Sequence, residues 1–144
     1  MKRISMQKGG VAVEFAIILP TFLLLLFGII EFSLILYDQA IITNASREAA
    51  RSAIAFKTPK LTAQQVQQIA INRSNNLVSF GVGTKTPNVI ISPSIIPQTA
   101  GASIQVTVQY NYTFLVFGNL LSLVSGGSIS NPLTLSATTV MNNE

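Results

Sequence analysis

The stretch that decides the fold is GGVAVEFAIILPTFLLLLFGII, residues 9–30. Residues 15–30 carry no charge, and about 20 apolar residues are enough for a helix to span a bilayer. The single acid in this stretch is Glu14. A carboxylate beside lipid is energetically costly and is usually paired or functional. The position of Glu14 at the entrance to an apolar helix therefore governs the interpretation of the whole chain.

The order of the segments distinguishes this stretch from a secretory signal peptide. A signal peptide carries its small-residue cleavage site after the apolar region. Here Gly9 and Gly10 come before it, directly after the basic residues Lys2, Arg3 and Lys8. Cleavage at the glycine pair would remove a basic leader and leave the apolar helix on the mature protein.

The basic residues also predict the orientation and the domain organisation. Positive charge on one side of a membrane helix favours a cytoplasmic location for that side. We therefore predict a leader at residues 1–9, a transmembrane half-helix at 10–37 and an extracytoplasmic head at 38–144, which includes the outer half of the same helix. Pro20 lies inside the apolar run and removes one backbone donor. It predicts either an ordinary kink or a point where the helix bends when subunits pack.

Helical periodicity continues beyond the membrane segment. No glycine or proline interrupts residues 31–58, so we predict one helix over about residues 10–56, roughly 70 Å long at ~1.5 Å per residue. Glu48 and Arg51 are spaced for an i,i+3 ion pair, although a solvated face is the default expectation. The predicted apolar stripe recurs at steps of three and four residues: Ile41, Ala45, Ala49, Ala53 and Phe56.

The remainder of the chain predicts a small mixed domain. Thr62 followed by Gln65 is a capping-box signal for a short helix that ends near Asn75, with Val66, Ile69 and Ala70 on its buried face. Alternation of apolar and polar residues predicts a strand at 104–114, and shorter patterns predict strands at 89–92 and 134–141. The fold class is therefore α+β, pilin-like in outline, with a long N-terminal helix, a short second helix and a small antiparallel sheet.

Two further features of the head each allow two interpretations from the sequence. Residues 115–124 are apolar but too short to span a membrane, so they predict a buried helix or a hairpin arm, followed by a turn at Gly126 and Gly127. Tyr110 and Tyr112 lie on the apolar face of the longest predicted strand. They predict a packed sheet face in preference to a binding surface.

The composition favours a structural protein attached to a membrane. Hydrophobic residues make up 49% of the chain and charged residues only 10%, which suits membrane attachment. Cysteine and histidine are absent, which excludes disulfides and removes the usual zinc ligands and the usual general base. We therefore expect no enzyme activity, no cofactor and no metal. Three of the nine basic residues precede the proposed cut, so six basic and five acidic residues remain in the mature chain. This balance gives no indication of nucleic acid binding. We also expect no small-molecule substrate.

Four stretches together resemble a known family. A glycine followed by four residues and then Glu14-Phe15 resembles the processing site of type IVb pilins and pseudopilins. The sequences at residues 10–20, 27–32 and 44–51 resemble the TadE-like family more specifically, and the C-terminal residues 133–144 are also similar. TadE-like proteins are small pilin-like components of tight-adherence (Flp) pilus systems. The resemblance is strong up to about Ala55 and weak beyond it.

The resemblance implies a minor pilin or pseudopilin of a Tad/Flp-type pilus assembly or secretion machine. A prepilin peptidase would cut between Gly9 and Gly10, or one residue later. Glu14, followed by Phe15, would then meet the freed N-terminal amine of a neighbouring subunit. Opposite charges buried in lipid stabilise only when they pair, so such a pair can set the register between subunits.

The same resemblance implies partners and a location. The partners would be the prepilin peptidase, other pilin-like subunits, the pilus assembly machinery and the membrane. The protein would cross the bacterial inner membrane once, and it would either stay there or enter an extracellular filament. Candidate subunit contacts are Glu31, Arg47, Glu48 and Arg51, with Glu31 expected at the level of the lipid headgroups. The alternative is an unprocessed, signal-anchored protein whose outer domain is a binding module.

Overall fold

A long N-terminal helix, a short second helix and a three-stranded sheet form the described part of the chain. The computed structural model describes residues 7–55, 59–78, 80, 85–96, 99–116 and 133–143, with side chains from Gly9 onward. In chain order the elements are α1 (Gln7–Ile54), α2 (Ala63–Arg73), β1 (Asn88–Ser92), β2 (Ser103–Tyr112) and β3 (Leu133–Asn142). The predicted α+β class is confirmed, with its long N-terminal helix, its short second helix and its antiparallel sheet.

Helix α1 runs without interruption through Pro20 for 48 residues, about 72 Å at ~1.5 Å per residue. It begins three residues before the predicted start. Its most apolar 18-residue window has a mean hydropathy of 2.5 and is not buried at all within the protein. Glu31 is the first buried side chain along the helix. The unburied residues 10–30 measure about 32 Å, which matches the ~30 Å hydrocarbon core of a bilayer.

The outer half of α1 packs one face of small side chains against the sheet. Ser46 Oγ lies 2.8 Å from Thr139 Oγ1, and Gln39 Nε2 donates to the Ser136 carbonyl at 3.1 Å. The buried residues on this half are Ile42, Ala45, Ser46, Ala49, Ala50 and Ala53. Of the predicted stripe, the three alanines are buried, and Ile41 is partly buried and packs against the same core. The buried face is wider than a single row because adjacent positions both enter the core.

Helix α2 begins as the sequence predicts. Thr62 Oγ1 accepts the Gln65 N–H at 3.3 Å, and Gln65 Oε1 accepts the Thr62 N–H at 2.9 Å, which confirms the capping box. The helix ends at Arg73. The N–H of the next residue, Ser74, is shared between the Ala70 carbonyl at 3.1 Å and the Ile71 carbonyl at 3.0 Å. Of its three predicted core residues, two are buried and one is half-buried: Val66, Ala70 and, half-buried, Ile69.

The sheet has the order β1-β2-β3, and both pairings are antiparallel. Val108 at its centre pairs with Val89 on one side and Ala137 on the other. The apolar face of β2 is buried as the alternation predicts: Ile104, Val106, Val108, Tyr110 and Tyr112. This burial confirms that the two tyrosines belong to a packed sheet face.

The contacts between α1 and β3 fix the direction of the strands. Gln39 contacts Ser136, and Ser46, one heptad further along the helix, contacts Thr139. Strand β3 therefore runs in the same direction as α1, and β2 runs back toward Glu31. We call the end of the head nearest Glu31 the proximal end and the opposite end the distal end.

Several predictions concern residues that the structure does not describe. Phe56 and the turn at Gly126 and Gly127 lie outside the described residues. So does most of the apolar segment at residues 115–124, of which only Leu115 and Val116 are described. The helix-or-hairpin prediction for this segment therefore stays a prediction.

Candidate functional site

The predicted processing site lies near the start of α1. Gly9 and Gly10 are exposed, and a Cβ built on either meets no atom within 4 Å. The peptide bond between them lies within α1, but each glycine weakens a helix by about 1 kcal/mol relative to alanine. The first turn can therefore unwind at low energetic cost. Lys2 and Arg3 lie outside the described residues, as does the side chain of Lys8.

Glu14 and Phe15 are exposed on the unburied half of α1. Phe15 is surrounded along the helix by further exposed apolar side chains, including Val11 and Ile18. Among the described residues, no basic side chain pairs with Glu14. This part of the helix therefore carries an apolar surface with a single carboxylate, and neither has a partner within the described part of the fold.

Glu31 occupies a different environment from the one predicted. Its side chain is only 4% exposed, and Oε1 accepts the backbone N–H of Leu115 at 2.5 Å. The sequence did not predict this burial, and the predicted position of Glu31 at the level of the lipid headgroups stays a prediction. Glu31 is buried because it continues the face of α1 that packs on the head, and its carboxylate satisfies a backbone donor at the end of β2.

Asp38 is a second buried acid on the same face, and the sequence analysis did not single it out. It is fully buried, and Oδ1 accepts the Val78 N–H at 2.9 Å. Its other oxygen, Oδ2, has no hydrogen-bond partner among the described residues. Burial raises the pKa of Asp38 above 3.8, and the hydrogen bond from Val78 partly offsets this rise. The burial of Asp38 could have been predicted from the seven-residue spacing that places Glu31, Asp38 and Ala45 on one helix face.

Two tyrosines of β2 complete this cluster. Tyr110 Oη donates to the Val78 carbonyl at 3.1 Å, whereas the buried Tyr112 Oη has no partner among the described residues. Burial, followed by the charges of Glu31 and Asp38 and by Tyr110, raises the pKa of Tyr112 to about 12. We call Glu31, Asp38, Tyr110 and Tyr112 the acid–tyrosine cluster. It ties α1 to the two backbone segments at Val78 and Leu115.

The charged residues on the outer half of α1 lie on a solvated surface. Arg47 and Arg51 are exposed. Glu48 pairs with Arg73 of α2 at 3.5 Å, with both side chains largely exposed. The predicted pair with Arg51 is not found in the described part of the chain, because α2 brings another arginine to the same carboxylate. Exposed pairs of this kind contribute about 0–1 kcal/mol.

The described residues contain no group of three or more histidine, cysteine, aspartate or glutamate side chains that could hold a metal ion. The contacts that the structure does show connect parts of the fold. Two carboxylates fasten the head to α1, and the part of α1 that precedes them stays unburied.

Comparison with known proteins gives one match. Residues 9–51 match the family model described as TadE-like protein. No curated protein and no solved structure gives a significant match. The matched segment begins at the glycine pair, covers the unburied half of α1 and both buried acids, and ends at Arg51. The chain is therefore similar to TadE-like proteins over its N-terminal helix.

Proposed function

We propose that the chain is a minor pilin-like or pseudopilin-like structural subunit of a Tad/Flp-type pilus assembly or secretion machine. The TadE-like match associates residues 9–51 with Tad pilus proteins. The observation that carries the proposal is the division of α1 into an unburied apolar half and a half fastened under a small head. A helix of this kind can be held in a membrane and can later pack against the helices of other subunits.

The apolar half of α1 needs a surrounding other than water. Large apolar side chains are exposed along it from Val11 to Ile30, which is a larger apolar surface than soluble monomers usually present. A bilayer covers such a surface, and so does a bundle of equivalent helices. Among the described residues, one helix is long and apolar enough to cross a membrane, which is compatible with a single-pass membrane protein.

Glu14 supplies the specific interaction that assembly would need. Hydrolysis of the Gly9–Gly10 peptide bond by a prepilin peptidase would leave the Gly9 carboxylate on the leader and a free ammonium group on Gly10. Glu14 would then be the fifth residue of the mature chain. A carboxylate in lipid is costly unless it is paired, so the ammonium group of a neighbouring subunit would set the register of two packed helices.

A structural role fits the chemistry of the chain better than catalysis does. The sequence has neither histidine nor cysteine, and the two buried acids are engaged by backbone N–H groups. We propose no cofactor, no metal, no nucleic acid and no small-molecule substrate. The partners would be the prepilin peptidase, other pilin-like subunits, the assembly machinery and the membrane.

Replacement of the glycine before the cut tests processing. We expect Gly9→Ala to leave the precursor uncut in the membrane of a host with an active peptidase, as judged by intact mass. Gly28→Ala is the matched control, because it makes the same substitution in the same helix, far from the cut. Normal maturation of Gly9→Ala together with Gly10→Ala, which covers a cut one residue later, would contradict processing at the glycine pair. An uncut wild type would favour the alternative, a signal-anchored protein whose outer domain is a binding module.

Replacement of the lone acid tests assembly separately. We expect Glu14→Gln to insert and to be cut, but to be missing from purified filaments or from crosslinked subunit pairs. Arg73→Gln, which removes one exposed charge from α2 outside the candidate subunit contacts, is the control and should behave as the wild type. Wild-type assembly of the Glu14 variant would leave this carboxylate with no role in subunit packing.

A further inference from the structure

We propose that the proximal end of the head rests in the interfacial layer of the bilayer that α1 crosses. The contact surface is a set of exposed apolar side chains that we call the proximal rim: Phe32, Leu36, Tyr37, Phe80, Leu115 and Leu133. The proposal rests on the membrane anchoring proposed above. It adds that the head lies directly on the membrane surface, whereas a stalk would hold it away.

The level of the rim follows from the hydrogen bonds that fasten the head. Leu115 is tied to Glu31, the first buried residue after the unburied segment. Leu133 lies beside Tyr112 at the proximal end of the sheet. Phe80 follows two residues after Val78, which is tied to Asp38. Two of these segments are thus bonded to α1 between Glu31 and Asp38, within about two helical turns of the point where the spanning segment ends, and the start of β3 lies beside the end of β2 at the same end of the head.

The exposure of these side chains is concentrated at this end. Beyond Ile30, the described part of the chain has only three other exposed large apolar side chains. These are Ile90 and Val140 on the outer sheet face and Ile95 beyond the distal end of β1. Exposed apolar side chains that gather at one end of the head, some on α1 and others on separate segments of the head, match a plane such as a membrane surface better than they match a single neighbouring helix.

The charges and the aromatic side chains agree with this assignment. Residues 86–143 contain no charged side chain, so the strand ends at the proximal end can enter the interface without the cost of removing a charge from water. Tyr37 lies about one turn beyond Phe32, at the depth where tyrosine is enriched in membrane proteins. Lipid at the boundary between acyl chains and headgroups is therefore the occupant that the rim fits.

Single tryptophan substitutions in the full-length chain test the proposal, because the protein contains no tryptophan of its own. Leu115→Trp, with Leu115 44% exposed, reports on the rim. Ile95→Trp, with Ile95 83% exposed at the distal end, is the matched control. Phe22→Trp reports on the spanning segment. Each variant would be reconstituted into phosphatidylcholine–phosphatidylglycerol vesicles, with and without phosphatidylcholine brominated along its acyl chains.

We expect the emission of Phe22→Trp and Leu115→Trp to be blue-shifted and quenched by the brominated lipid. Ile95→Trp should show neither effect. Leu133→Trp should reproduce the result for Leu115→Trp, and it keeps the test decisive if one rim variant does not fold.

Three other results would overturn the proposal in distinguishable ways. Quenching of Phe22→Trp without quenching of Leu115→Trp or Leu133→Trp would leave the anchor intact and remove the rim contact. A blue shift at the rim without quenching would mean that a protein surface, such as a second copy of the chain, covers it. An unquenched Phe22→Trp would remove the membrane anchoring and the rim contact together.

Discussion

The two halves of α1 form one continuous helix in two different surroundings. In the half at residues 10–30, large apolar side chains occur on all sides and none is buried. In the half beyond Glu31, the buried face is built largely from alanine and serine. Large side chains exposed all round suit lipid or neighbouring helices, whereas small side chains on one face allow the sheet to approach closely. Apolar character alone therefore does not say which surface of this helix belongs to the fold.

The junction between the halves is marked by the acid–tyrosine cluster. In the unburied half of α1, the single acid Glu14 is exposed and has no basic partner among the described residues. At the junction, two acids are buried and accept backbone N–H groups. Substitutions in the two halves and at this junction should therefore have different effects on stability.

The largest expected effect separates identical substitutions in the two halves. Ile42→Ala removes a fully buried side chain from the core and should lower the free energy of unfolding by about 2–5 kcal/mol. Ile18→Ala removes a side chain that is 64% exposed and should change it by less than about 0.5 kcal/mol. Thermal unfolding of the full chain in detergent micelles, followed by circular dichroism, measures both. Equal losses would mean that the two halves pack alike.

The next effect concerns Asp38 at the junction. Asp38→Ala leaves the Val78 N–H without its acceptor and should cost about 1–3 kcal/mol. Asp38→Asn keeps an oxygen for this N–H and removes the charge, so at neutral pH it should be at least as stable as the wild type.

The pH dependence of the Asp38 contribution has a definite sign. Because burial raises the pKa of Asp38 above 3.8, the folded state holds this proton more tightly than the unfolded state does. The stabilisation is fully present below pH 3.8 and is lost as the pH rises through the raised pKa. The stability of the wild type relative to Asp38→Asn should therefore fall over this range. A difference that stays flat, or that rises with pH, would contradict the burial of the carboxyl group.

The smallest effect separates the two tyrosines of the cluster. Tyr110→Phe removes the hydroxyl that donates to the Val78 carbonyl and should cost about 1 kcal/mol. Tyr112→Phe removes a buried hydroxyl that has no partner among the described residues and should cost nothing or stabilise slightly. The same unfolding measurement compares the two variants. A larger loss at Tyr112 would indicate that its hydroxyl has a partner.

Local signals in the sequence were sufficient to predict most of the described fold. The capping box at Thr62, the alternation along β2 and the uninterrupted run of α1 each depend on residues close together in sequence. The unburied half of α1 was equally predictable, because its composition alone requires lipid or other helices.

The details that escaped prediction depend on contacts between distant segments. Glu31 is buried where the head packs on α1, and Leu115, far along the chain, is brought to its carboxylate. Glu48 pairs with Arg73 because α2 packs beside α1. Asp38 could have been found from the heptad step back from Ala45, but an acid on an apolar stripe is normally assigned to solvent. Its burial follows from the backbone N–H that the sheet side of the head provides.

The intact mass of the protein recovered from the membranes of its native host distinguishes a processed pilin-like subunit from an unprocessed anchor. We expect the mass of residues 10–144, which would mean that the leader is removed and the apolar half of α1 is kept. A protein that retains Met1 in cells with an active prepilin peptidase would instead be a signal-anchored protein.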